Sequence, residues 1–137
     1  EIANNTKDAT ERRQAFHAFV KVCASRDNRS DQLRLDRMKQ AMQEARDADE
    51  KSAVINRTRT AYDVESMRFV RPWLDQPEFC QIACETIVEL AHHRQVRDPN
   101  KEEFDAVLDQ VIKLAKNEEL IERANRYKRG ETWERKR

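Results

Sequence analysis

Between Met67 and Ala91 the chain reads MRFVRPWLDQPEFCQIACETIVELA, and Pro77 in the middle of it constrains both sides. A proline disfavours helical geometry at the residue before it, so a helix carrying Met67, Val70 and Leu74 on its inner face must stop near Asp75. Beyond the proline, Phe79, Ile82, Ala83, Ile87, Leu90 and Ala91 recur at the three-four spacing of one helix face. Two amphipathic helices therefore meet at a tight turn. Asp75 stands where it can cap the second helix, and Pro77 where a first-turn residue needs no N–H. The expected unit is an antiparallel helix hairpin, with helices over 64–74 and 78–93.

Composition extends that expectation to the whole chain. One glycine and three prolines in 137 residues leave too few turn residues for a sandwich or barrel. Charged residues make up 39%, yet they cancel to a net +1. Disorder goes with large net charge and few large apolar residues, so this balance points to ordered helices with long solvated faces. No run of about eighteen apolar residues is present, and the first residues lack the apolar stretch of an export signal. A soluble segment without a membrane span is expected, its compartment undecided. The start at Glu1 rather than Met suggests a processed or excised piece. Cys23, Cys80 and Cys84 each fall in a helical apolar pattern and read as buried small hydrophobes. Cys80 and Cys84, one turn apart on one helix, are poorly placed for a disulfide.

Taken in order, an extra first helix is predicted over 8–25, with Ala15, Phe16, Phe19, Val20 and Cys23 inward and Arg12, Arg13 and Lys21 outward. The segment RDNRS (26–30) is a linker ending in Ser30, an N-cap for a helix to Ala45 that buries Leu35, Met38, Met42 and Ala45. A turn at 46–49 leads into a helix over 50–60 with a weaker stripe of Val54, Thr58 and Ala61. After a second linker, 94–100, Asp98 and Pro99 read as N-cap and first helical residue. That helix buries Phe104, Val107, Leu108, Val111 and Leu114. Asn117 caps the last one, which buries Leu120, Ala124 and Tyr127 and ends at Gly130, where a left-handed residue is needed. The helix pairs are thus 31–60, 64–93 and 100–129, about seven helices in all, followed by a basic tail over 130–137. Asp109 with Lys113, Glu119 with Arg123 and Glu122 with Arg126 are spaced as surface ion pairs.

Sliding the chain against itself shows a period. At an offset of 41, Met67 falls on Leu108, Val70 on Val111, Leu74 on Ala115, Phe79 on Leu120 and Ala83 on Ala124. At an offset of 28 a looser match sets Val70, Trp73 and Glu78 on Met42, Ala45 and Glu50. A two-helix unit near 40 residues is the range of armadillo-type repeats. The stretch WLDQPEFCQIACETIVEL (73–90) resembles the second half of a HEAT repeat: Leu74 closes one helix, Asp75 stands in the turn, Pro77 and Glu78 open the next, and Phe79, Ala83, Ile87 and Leu90 supply the packing. KNEELIERA (116–124) repeats this more weakly. Where the family often carries a basic residue after the turn hydrophobe, this chain has Cys80 and Ile121, which puts a turn-bridging ion ladder in doubt. The resemblance is also to HEAT-like segments within large multidomain bacterial proteins. It implies an α-α superhelix of stacked hairpins, whose concave face is built from successive second helices, and which binds protein partners or neighbouring domains of the same chain without catalysis.

The residues supply no strong rival. His92 and His93 adjoin on one helix and point about 100° apart, with Cys84 two turns back, so they converge poorly on a metal. The carboxylates lie beside basic residues, and neither a serine elbow nor a glycine-rich phosphate loop is present. No enzyme activity, metal or cofactor is expected. The stretch RANRYKRGETWERKR carries Arg123, Arg126, Lys128, Arg129, Arg135, Lys136 and Arg137 with Tyr127 and Trp133 interleaved, a pattern that could attract phosphates and stack bases. This nucleic-acid-binding face is the alternative to the scaffold reading; near-neutral overall charge favours a solvated last helix instead. Trp73 at a helix end is either a partner anchor or inter-repeat core. The candidate interaction surface is therefore Trp73, Arg123, Arg126, Lys128, Arg129 and Trp133.

Overall fold

The computed structural model describes residues 6–23 and 30–131, of which 6–8 and 22–23 as backbone only. Residues 1–5, the linker residues 24–29, the side chain of Cys23, and Trp133 with the basic residues 135–137 lie outside the described residues. The chain is all-helical, and no strand occurs among the described residues. The elements are α1 (Thr6–Cys23), α2 (Asp31–Glu44), α3 (Ala48–Arg57), α4 (Val64–Val70), α5 (Cys80–Ala91), a single turn α6 (Arg94–Arg97), α7 (Lys101–Leu114) and α8 (Glu118–Lys128). Tight 3-10 turns extend α3 over Thr58–Thr60, α4 over Arg71–Asp75 and α6 over Asp98–Asn100.

Local chemistry sets most of the boundaries. The Ser30 side chain accepts from the Leu33 N–H, Asp47 from that of Glu50, and Asn117 from that of Glu119, each satisfying a donor that a helix start leaves open. Gly130 takes φ +79 past the end of α8, and its N–H bonds the Tyr127 carbonyl. The 67–91 hairpin departs from expectation at its turn. Pro72 has no N–H to give the carbonyl four residues back, and the chain tightens into the 3-10 turn from Arg71. Pro77 then sits in the connecting turn, and α5 begins at Cys80 after Phe79, with no side-chain cap. Asp75 is exposed and does not cap α5.

The 94–100 linker is likewise more ordered than its composition suggests. Val96 and Arg97 are buried, and Arg97 Nη1 donates to the Ala91 carbonyl at 2.8 Å, closing the end of α5 and drawing the next residues into a turn. Asp98 and Pro99 belong to that turn, and Asn100 precedes α7 without a capping bond.

The core is organised around α5, which packs against α3, α4, α7 and α8, while α3 and α8 share no extensive contact. α5 buries Cys80, Ala83, Cys84, Thr86, Ile87, Val88, Leu90 and Ala91, more than one stripe, because neighbours cover it on several sides. All ten residues of the 41-residue self-match are buried, from Met67 and Leu108 to Ala83 and Ala124. The offset of 28 fares worse: Glu78 is exposed where Glu50 is fully buried. Leu114, placed inside by periodicity, is 38% exposed at the end of α7, and Ala115 takes the interior position.

A second apolar cluster of Phe16, Val20, Met38, Ala41 and Val54 joins α1 to α2 and α3. Ala15 and Phe19 face outward, contrary to the periodic reading, because α1 is rotated to bring its basic residues onto the start of α3. Arg12 pairs with Glu50, Arg13 with Asp47, and His17 Nε2 lies 2.9 Å from Asp49 Oδ2. Burial pushes the Glu50 carboxyl up, but hydrogen bonds from Arg12 and the Arg46 N–H more than reverse this, holding it below the ordinary carboxylate range. A depressed folded pKa stabilises the native state above the unfolded value and stops doing so as pH falls through the folded one. Acid titration followed by Phe16-region NMR shifts should accordingly show the α1–α3 junction intact above the ordinary glutamate range and loosening below it; Glu50→Gln should remove that acid step.

Cys80 and Cys84 are free and buried. Burial, then the neighbouring Cys80 thiol, pushes Cys84 up to about 12, so it carries almost no thiolate at neutral pH. Iodoacetamide should leave Cys84 unmodified in the native chain and alkylate it fully in denaturant, as read by peptide mass spectrometry.

Candidate functional site: a polar cleft beside the end of α5

Where the last turn of α5 passes the 3-10 turn after α3, a cleft of about 440 Å³ opens, lined by Arg59, Thr60, Tyr62, Glu89, His92 and His93. Tyr62, His92 and His93 bring aromatic rings to it, and Glu89 and His92 connect it to a buried hydrogen-bonded network. The rings of Tyr62 and His93 stack at 3.9 Å with 29° between their planes. His92 turns the other way, its Nδ1 2.9 Å from the Tyr127 hydroxyl.

Tyr127 is buried between two guanidinium groups, that of Arg97 5.0 Å and that of Arg123 5.7 Å from its ring centre. Arg123 Nε and Nη2 donate to the phenol oxygen at 3.2 and 3.0 Å. A guanidinium can only donate, so the phenol oxygen accepts from Arg123 while sharing a hydrogen bond with His92 Nδ1. Arg123 Nη1 donates to Glu89 Oε2 at 2.9 Å. Burial works against the charge of Arg123, while the bonds to Glu89 and Tyr127 more than compensate and keep it protonated.

The network extends sideways. Arg59 Nη2 donates to Glu85 Oε1 at 3.0 Å, so α5 offers Glu85 to the end of α3 and Glu89 to α8, one turn apart. On the other side of the chain Arg68 of α4 makes two bonds to Glu103 of α7, and Arg71 Nε donates to Gln110 Oε1 at 2.9 Å.

The residues singled out by sequence are not brought together. Arg123 lies inside, only 3% exposed, and serves the network just described. Arg126 pairs with Glu122 at 3.1 Å, Lys128 with Asp109, and Arg129 with Glu131 at 2.8 Å. Each of the four described cations of that face, Arg123, Arg126, Lys128 and Arg129, thus has a carboxylate beside it. Of the three surface pairs read from spacing, Glu122–Arg126 forms, whereas Arg123 goes to Glu89 and Asp109 to Lys128. Trp73 is half-buried in the turn after α4, edge-on to Phe79 with ring centres 5.2 Å apart. It belongs to the packing there. His92 and His93 diverge to Tyr127 and Tyr62, and the described residues hold no group of three or more His, Cys, Asp or Glu able to hold a metal.

What periodicity missed is Glu89 with its partners. Glu85 and Glu89 are acids one turn apart on an otherwise apolar helix, and Arg59 and Arg123 stand some thirty residues to either side, which is a readable signal for lateral pairing. Tyr62 carries no such signal. No known protein family, curated protein or solved structure matches the chain. No described helix is long and apolar enough to cross a membrane.

Proposed function

We propose that this chain is a HEAT-like stack of three helix hairpins, α2–α3, α4–α5 and α7–α8, with α1 laid against the first, acting as a non-catalytic interaction module of a larger assembly. One observation carries the reading: the second helices touch in sequence, α3 on α5 and α5 on α8, and ion pairs bind each junction, Arg59 to Glu85 and Glu89 to Arg123. The first helices meet in the same order, α2 against α4 and the turn after α4 against α7. A hairpin with one apolar stripe stays dry only by leaning on its neighbours, and such contacts are the basis of repeat stacks.

The cleft at the edge of α5 is the surface we assign to a protein partner. Stacked aromatic faces, a histidine N–H and hydroxyls suit a polar peptide segment, since aromatic rings supply contact area at small entropic cost. The pairing of charges around it supports binding over acid-base catalysis, which needs a group held ready to exchange its proton. To test this, affinity capture followed by mass spectrometry should be run with the wild-type chain and with Tyr62→Ala/His93→Ala, both checked for native helicity. A partner held by the wild type should be lost from the variant. Retention of every partner by a folded variant would move the binding surface elsewhere.

A further inference from the structure

The residues of the cleft are not all held in the same way. Arg59 and Thr60 are tied to the helix they follow, Arg59 Nε donating to the Asn56 carbonyl at 2.9 Å and the Thr60 hydroxyl to the Arg57 carbonyl at 2.8 Å. Tyr62 is held from further away. It stands in the turn before α4, where the Ala61 N–H bonds the Thr58 carbonyl and the Asp63 N–H bonds that of Ala61. Between them the Tyr62 N–H donates to Asp31 Oδ1 at 3.0 Å, in the first turn of α2 and thirty-one residues back. The same carboxylate oxygen accepts from Arg34 Nη2 at 2.9 Å, and Arg34, only 2% exposed, fixes it in place. Asp31 is not among the residues that line the cleft. It nonetheless sets the peptide plane from which the Tyr62 side chain leaves, and so the approach of that ring to His93. Stacking alone is a weak constraint on a half-buried ring, which gives up rotamer freedom to make it.

Resting on the reading of the cleft as a partner surface, we infer that Asp31 is a positioning residue of that surface: its bond to the Tyr62 N–H turns the Tyr62 ring onto His93. The stack joins the turn after α3 to the end of α5, so the start of α2 shapes a binding surface that it does not touch. The oxygen is what the position requires, since the Tyr62 N–H needs only an acceptor, whereas the charge answers Arg34.

The test reads the His93 ring protons by NMR in chains carrying isotope-labelled histidine, with no ligand added. In the wild type the Tyr62 ring current displaces those signals, and Tyr62→Leu defines where they fall without it. Asp31→Ala should carry them to the Tyr62→Leu position. Asp31→Asn keeps an oxygen for the Tyr62 N–H while losing the charge opposite Arg34, and should leave them at the wild-type position. A loss of stability alone would not give this pattern, because Asn forfeits the ion pair just as Ala does. Asp31→Ala also strands the buried Arg34 charge, so Asp31→Ala/Arg34→Met is measured beside it, with Arg34→Met as its reference. Arg34→Met should keep the displaced signals and the double variant should lose them. Wild-type signals in a folded Asp31→Ala or double variant would overturn the positioning role. Signals lost from Asp31→Asn or Arg34→Met would assign the effect to the ion pair and overturn it equally. Hydrogen exchange on the wild-type chain decides without any variant: the Tyr62 amide should be protected, and free exchange there would contradict the bond to Asp31. Because all of this is read on the chain alone, the outcome stands apart from whether Tyr62→Ala/His93→Ala sheds a partner.

Discussion

Ile87→Ala is expected to lower stability by about 3 kcal/mol. Ile87 is fully buried on the helix packed against α3, α4, α6, α7 and α8, so the removed methyls leave a void that no neighbour can fill without leaving its own partners. Large-to-small changes at such sites cost roughly 2–5 kcal/mol, and the higher part of that range belongs to positions that cannot collapse. For a domain of this length the loss corresponds to a fall in Tm on the order of 10 °C. Lys113→Ala on the exposed side of α7 should change stability by no more than about 0.5 kcal/mol. Thermal and urea denaturation of the two variants checks the contrast; similar values for both would remove α5 from the centre of the fold.

The position of Ile87 was legible from the sequence because its face repeats at helical spacing over the whole of α5. The same holds for Val54, Val70, Phe104, Val111 and Ala124, each of which periodicity placed inside and the fold buries. Caps at Ser30 and Asn117 and the glycine at 130 were legible too, since they answer to local backbone chemistry alone. The turn around Pro77 was not. Two prolines five residues apart compete to set where a helix stops, and the outcome depends on the packing of Leu74 and Phe79 as well as on the residue before each proline. Charged residues gave the greatest difficulty. Arg97, Arg123 and Glu50 have the composition of a solvated face, but each is buried with a partner distant in sequence, Tyr127, Glu89 and Arg12 respectively, and periodicity records hydropathy without recording who pairs with whom.

Glu89→Ala is the second large effect. Arg123 would keep its buried charge and lose its carboxylate, retaining only the Tyr127 oxygen, and an uncompensated buried charge costs roughly 3 kcal/mol. The double change Glu89→Met with Arg123→Met should cost much less than Glu89→Ala, because burying apolar groups of similar size in place of a buried pair is often close to neutral. Chemical denaturation of the single and double variants gives the coupling directly. A double variant as unstable as the sum of its singles would show that the two side chains act separately, and would weaken the ionic link between α5 and α8.

The central claim is that α3, α5 and α8 lie side by side with α5 between the other two. The most direct measurement is the distance between spin labels on α3 and α8 by double electron-electron resonance, using Arg57→Cys and Glu122→Cys in a chain with Cys23→Ser. Two interaxial steps of about 10 Å each predict a distribution centred near or above 20 Å. A distribution centred near 10 Å would place α3 and α8 in contact, as in a closed bundle, and would contradict the stack.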